Sequence, residues 1–169
     1  SGYFDSAYVL VDPDSDTNAA PVNVQLREAK LQKVVLGIGM TTDTGPRASI
    51  EHTHNRVPGL DWRAVTKLQL DRKTPLAQTE WTSLPDADYW RWVTLARVAR
   101  QDDDELVTDA QTLRFCQVQT GERIDRSTYV QYDRATVTAS GTATTLDDAR
   151  IGDGSAVSLN YGWTGRYFD

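Results

Sequence analysis

Alternation of apolar and polar side chains over strand-length segments constrains this fold more than any other feature of the sequence. The clearest segment is 62–70, where one set of residues alternates with another: Trp62, Ala64, Thr66, Leu68 and Leu70 against Arg63, Val65, Lys67 and Gln69. Alternation with a period of two is typical of a β-strand that shows different surroundings to its two faces. No segment of helical length has a 3.6-residue period, so we expect helices to be scarce.

Turn residues separate eight such segments, and the short connections favour consecutive antiparallel hairpins. We predict strands at about 31–42, 47–55, 62–70, 76–83, 89–100, 106–119, 126–138 and 155–164. Two more strands, at about 3–11 and 22–27, precede them, and a loop rich in Asp, Pro, Ser and Asn joins these two. The predicted fold class is all-β, an antiparallel meander.

Composition narrows the possible surroundings of the chain. Its 169 residues carry a net charge of −6, which disfavours binding to nucleic acid or to an anionic membrane surface. No apolar run approaches the roughly 18 residues of a membrane-spanning helix. A strand of a membrane barrel needs only about 9–11 residues, with apolar side chains toward lipid and polar ones toward the lumen.

Charged and aromatic side chains within the predicted strands leave two interpretations open. Charges inside strands suit a water-filled lumen or a sheet with one wet face, since a dry core would require all of them to be paired. They are Glu51, Arg63, Lys67, Glu80, Arg91, Arg97, Asp109, Arg114, Arg126, Asp133 and Arg134. Aromatic residues near strand ends suit either the girdles of a membrane barrel or the core of a soluble sandwich. They are Trp62, Trp81, Tyr89, Trp90, Trp92, Tyr161 and Trp163.

Residues 33–50 are predicted to form a tight hairpin with a weakened first strand. Gly37 and Gly39 interrupt an apolar run, and glycine inside a strand marks a bend, a bulge or a close backbone approach. Asp43, Gly45 and Pro46 are turn residues, by side-chain capping, tolerance of positive φ and a fixed φ respectively. Pro46 lacks an N–H donor, which suits the first residue of a strand.

The hairpin also resembles a known family. Residues 37–47, Gly-Ile-Gly-Met-Thr-Thr-Asp-Thr-Gly-Pro-Arg, are similar to the first barrel hairpin of the bacterial surface-antigen family of outer-membrane assembly and translocation factors, and most similar to its TamA branch. Met40 and Thr41 depart from the Tyr and Ser usual there. The matching motif residues of the turn are Thr42, Asp43, Gly45, Pro46 and Arg47. Residues 2–6, Gly-Tyr-Phe-Asp-Ser, resemble the end of the family's last periplasmic POTRA domain.

The resemblance implies a division of the chain and a function. Residues 1–30 would be the C-terminal remnant of a POTRA domain, and 31–169 the N-terminal portion of an outer-membrane β-barrel, either a partial barrel or a small closed one. The implied function is to insert or export β-barrel or autotransporter substrates at the bacterial outer membrane. The implied partners are those unfolded substrates, the lipid bilayer and an inner-membrane or periplasmic protein; free edges would also allow self-association between copies.

The first barrel strand is the predicted site, because in this family a substrate strand can pair at the seam that it borders. Val35, Gly37, Gly39 and Met40 are the candidate pairing residues, and the glycines would bias the strand toward fraying. The alternative for the glycines is that they only permit curvature of the barrel.

Other kinds of chemistry find little support in the sequence. His52 and His54 are two apart on a strand, a workable spacing for metal ligands, but no third ligand is identifiable. Since no catalytic triad, metal triad or paired carboxylate stands out, we expect neither an enzyme nor a cofactor. The alternative function is a soluble antiparallel β-barrel or sandwich module that binds a small ligand or a protein partner.

Overall fold

The computed structural model describes residues 4–11, 22–28, 30–42, 45–103, 105–139 and 150–165. They form ten strands: β1 Phe4–Val11, β2 Val22–Glu28, β3 Gln32–Thr41, β4 Gly45–His54, β5 Arg63–Asp71, β6 Leu76–Thr82, β7 Trp90–Asp102, β8 Leu106–Thr120, β9 Ile124–Ala139 and β10 Arg150–Gly165. The chain is therefore all-β, as predicted. Within these ranges no helix is long and apolar enough to cross a membrane.

The strands are arranged in two separate sheets. β1 and β2 pair only with each other, whereas β3 to β10 form one antiparallel sheet in which the neighbours follow chain order. β3 and β10 are its edges, and within the described residues no ladder joins them. The predicted meander is confirmed, and the eight-stranded sheet is open like a partial barrel. The described strands do not form the two packed sheets of a sandwich.

The register divides the sheet into an apolar and a polar face. Directly opposite residues of antiparallel strands project to the same side. The face of Leu36 therefore includes a row of apolar residues that are opposite one another across five strands: Leu36, Ile50, Leu68, Ala77 and Val98. We call this the apolar face, and the other, which carries the row Glu51, Lys67, Gln78 and Arg97, the polar face.

The polar face is the concave side. Along β8 and β9, polar-face residues such as Thr112, Arg114 and Asp133 are half-buried, whereas Leu113 and Tyr132 on the apolar face are exposed. Side chains crowd together on the inside of a curved sheet, which explains this difference. Most large apolar residues of the sheet are thus outside, which is the reverse of a soluble protein's arrangement.

Large apolar side chains are mostly exposed in this single layer. Among the described residues, only Ala64 and Val107 are buried apolar residues. Ile38 is 95% exposed and Leu159 77%. Burial of apolar surface is the main driving force for folding, so this sheet needs apolar surroundings on its convex side.

Only one predicted strand boundary differs from the observed one by more than two residues. β10 begins at Arg150, five residues before the predicted start at Ser155, and runs through Gly152 and Gly154. Gly152, Asp153 and Gly154 are residue types typical of a connection between strands. They are part of a strand because β10 pairs with β9 along its whole length, after a register shift between Arg150 and Gly152.

Candidate functional site

The free edge of β3 is the feature on which the candidate site is built. The backbone oxygen of Leu31 accepts a hydrogen bond of 2.8 Å from the N–H of Asn55, which lies directly opposite it. Hydrogen-bonded and non-hydrogen-bonded pairs alternate along an antiparallel ladder, so the odd-numbered residues of β3 bond to β4. The even-numbered residues, Gln32, Val34, Leu36, Ile38 and Met40, direct their N–H and C=O groups to the free edge.

The hairpin that follows fixes which residues of β3 form hydrogen-bonded pairs with β4. Gly45 has φ of 76°, a left-handed value that suits glycine, and it is opposite Thr41. Pro46 is opposite Met40 in a non-hydrogen-bonded pair, so its missing N–H is not needed toward β3. The β4–β5 ladder begins only at Arg47, so the N–H is not needed there either. Asp43, the predicted capping residue, lies outside the described residues.

The two glycines of β3 differ in their surroundings. A Cβ atom at Gly37 would lie 2.6 Å from Oγ of Ser49, its partner on β4. A Cβ atom at Gly39 would have no other atom within 4 Å. Space above the polar face is therefore occupied at Gly37 and open at Gly39.

The structure divides the predicted pairing residues into two groups. Val35, Gly37 and Gly39 lie on the polar face and direct their backbone groups to β4. They affect the free edge only through the room that they leave above the polar face for the side chains of a neighbouring strand. Met40 lies on the apolar face with its backbone at the free edge. Sequence reasoning missed Val34, Leu36 and Ile38, whose backbone groups also face the edge. Pro46 was the available signal, because a residue without a donor indicates which pairs lack hydrogen bonds.

Aromatic residues gather at one end of the sheet, where β3 begins and β10 ends. All seven predicted girdle residues lie there: Trp62 and Tyr89 in turns, and Trp81, Trp90, Trp92, Tyr161 and Trp163 on the apolar face. A membrane barrel has aromatic girdles at both membrane interfaces. Within the described part of β3–β10, no Trp or Tyr lies near the turns at the opposite end, so the described residues form a girdle at one end only.

A turn stabilised by Asp86 contains or adjoins two of these aromatic residues, Tyr89 and Trp90. The Asp86 carboxylate accepts hydrogen bonds from the backbone N–H groups of Asp88, at 3.0 Å, and Trp90, at 2.9 Å. Tyr89 between them has φ of 63°. The side chain of Asp86 thus holds the bend from which Trp90 enters β7.

Charges mark the opposite end of the apolar face. Arg100 is opposite Asp109, and the Arg134 guanidinium is 3.1 Å from the Asp153 carboxylate. From Trp90 to Arg100 the chain advances ten residues, about 33 Å along the strand and about 25 Å along a barrel axis at a 40° tilt. That height equals the apolar band of a membrane barrel, about 25 Å.

Three of the charged residues predicted to share the polar face are on the other one. Asp109, Arg126 and Arg134 lie on the apolar face, near its two ends, because their register partners do. The other eight of the set lie on the polar face. Charges at the ends of an apolar band meet lipid headgroups and water, so this placement fits a membrane barrel.

A hydrogen-bonded network occupies the polar face of β8 and β9. The Asp133 carboxylate accepts hydrogen bonds from Thr112 Oγ1, at 2.8 Å, and Gln131 Nε2, at 2.6 Å. The Arg114 guanidinium donates to Gln131 Oε1, at 2.7 Å, and lies 5.0 Å from the centre of the Tyr129 ring. Cross-strand pairs of this kind stabilise a sheet and keep a wet face ordered.

The two histidines lie on the apolar face of β4. The ring centroids of His52 and His54 are 6.2 Å apart, with the rings edge to face. No group of three or more potential metal ligands occurs among the described residues.

A groove crosses β3–β8 in the part of the sheet away from the aromatic residues. Its volume is about 800 Å³, and residues of both faces line it, among them the apolar row from Leu36 to Val98.

Comparison with solved structures gives a match to the fold. The chain is similar to the crystal structure of BamA from Haemophilus ducreyi lacking POTRA domains 1–3, with a TM-score of 0.59 and 8% sequence identity. The similarity covers 98% of this chain and 36% of that one, so the chain spans about a third of its length. No protein-family model and no curated protein matches the sequence.

Proposed function

We propose that this chain is the first part of an outer-membrane barrel that helps β-barrel or autotransporter substrates to insert or to cross, in a TamA-like factor. Residues 31–169 contribute the N-terminal strands of the barrel, and residues 1–30 are the remnant of a POTRA domain. The separation of β1–β2 from the larger sheet supports this division, and the fold likeness to BamA supports the barrel.

The two-faced sheet supports a location in the bacterial outer membrane. An exposed apolar band about 25 Å high, with aromatic residues at one end and charges at the other, matches lipid on the convex side. A concave face with charged side chains matches a water-filled lumen. The lipid bilayer is therefore the first partner.

The free edge of β3 is the observation that carries the assembly role. It offers unpaired backbone groups beside apolar side chains, which is the surface that a strand about to enter a membrane requires. Unfolded outer-membrane proteins or autotransporters are the proposed partners, with an inner-membrane or periplasmic protein as a further one. We propose neither an enzymatic activity nor a cofactor.

Photocrosslinking tests this role. A benzophenone side chain replaces Ile38 at the edge or, as a control, Leu70, which lies on the apolar face of β5 in the same row. Each variant, folded in detergent micelles, is mixed with an unfolded outer-membrane barrel protein and irradiated. We expect a crosslinked product from position 38 and little from position 70. Equal yields at both positions, or none at 38, would contradict docking at β3.

A further inference from the structure

An incoming strand can form hydrogen bonds only with those residues of β3 whose backbone groups face the free edge. It bonds to the even-numbered residues, of which Leu36 and Ile38 are central, so its residue opposite Gly39 is in a non-hydrogen-bonded pair. Side chains in such pairs are close together and lie on one face. The residue opposite Gly39 therefore projects over the polar face.

The space that this side chain enters is open. No atom lies within 4 Å of the position of a Cβ at Gly39, whereas Ser49 Oγ is 2.6 Å from that position at Gly37. On the other side of Gly39 the row continues with Arg47 and then Asp71. Arg47 is exposed, so its guanidinium is accessible from above the glycine.

We infer that the strand bound at this edge carries an aromatic side chain opposite Gly39, which packs across the glycine against Arg47. This rests on the proposed function. Neighbouring strands are about 4.8 Å apart, so the incoming Cα lies about 10 Å from that of Arg47, a gap that an aromatic ring and an arginine fill together. An aromatic residue beside a strand glycine covers the exposed backbone. A guanidinium over the ring adds a cation–π interaction.

Two labelled peptides measure this preference. Each has ten residues of alternating valine and threonine followed by lysines, and one threonine is replaced by phenylalanine in the first peptide and by alanine in the second. Binding to the chain in detergent micelles is followed by fluorescence anisotropy. We expect the phenylalanine peptide to bind about three- to tenfold more tightly.

Substitutions in the row separate the two proposals. We expect Gly39→Val to abolish the preference, because its side chain fills the space, and Arg47→Gln to reduce it at least twofold. Gly154→Val, also in open space but on β10, and Lys67→Gln, two strands from the edge, are controls that should preserve it. Heat-modifiable migration in gels confirms that each variant is folded.

The outcomes distinguish the inference from the function. Equal binding of both peptides, or a preference that survives both Gly39→Val and Arg47→Gln, overturns the aromatic site and leaves strand pairing intact. If neither peptide binds to the unaltered chain, strand pairing itself is contradicted.

Discussion

Gly37 and Gly39 are alike in sequence, but the residue on the next strand makes them different. Replacing glycine by alanine in a strand removes unfolded-state entropy, which is worth about 0.5–1 kcal/mol where the new methyl group fits. It fits at Gly39, where nothing lies within 4 Å. We expect Gly39→Ala to raise the free energy of unfolding by about 0.5–1 kcal/mol, measured by urea titration of tryptophan fluorescence in micelles.

At Gly37 we expect a smaller gain or a loss, because the methyl group meets Ser49 Oγ. The matched control is Gly37→Ala in a Ser49→Ala background, since the Cβ of residue 49 is at an ordinary contact distance of 3.9 Å. In that background the substitution should become as favourable as Gly39→Ala. An unfavourable effect of the same size in both backgrounds would show that the hydroxyl is not its cause.

At the scale of the strand, the assignment of faces predicts opposite responses at neighbouring residues. Leu159 and Ser158 of β10 are both exposed, but Leu159 is on the apolar face and Ser158 on the polar one. In a bilayer, we expect Leu159→Arg to cost about 2–4 kcal/mol, as for arginine near the midplane. Ser158→Arg should change stability by about 0.5 kcal/mol or less. Urea unfolding from lipid vesicles measures both, and equal small effects would contradict the membrane-facing assignment.

The strands show how much the sequence could predict. Alternation and turn residues located the strands because both are local: Gly45 sits at its positive φ beside Pro46, as turn chemistry requires. Pairing between strands is not local. The early start of β10 at Arg150 depends on β9, and the faces of Asp109 and Arg134 depend on register, which alternation within one strand leaves undetermined.

The candidate site was predictable in part for the same reason. A glycine-interrupted first strand was recognisable in the sequence, so β3 was identified as the strand of interest. Which backbone groups face outward follows from the bond between Leu31 and Asn55, a contact across the sheet. The difference between Gly37 and Gly39 depends on Ser49, which belongs to another strand.

At the scale of the whole molecule, the sheet has an apolar convex face and a polar concave face, and among the described residues its two edges are free. In water, such a layer would leave its apolar side chains exposed to solvent and the backbone groups of its edges without a partner strand. We expect it to require an apolar phase on one side and a partner strand along its edges. Folding should therefore depend on an apolar phase.

Folding of the purified chain with and without detergent micelles tests this most directly, by far-UV circular dichroism and heat-modifiable gel migration. We predict a β signal and a compact, heat-sensitive band only when micelles are present. A monomer that melts cooperatively in plain buffer would contradict the proposed membrane location and, with it, the proposed role of β3 as a docking edge.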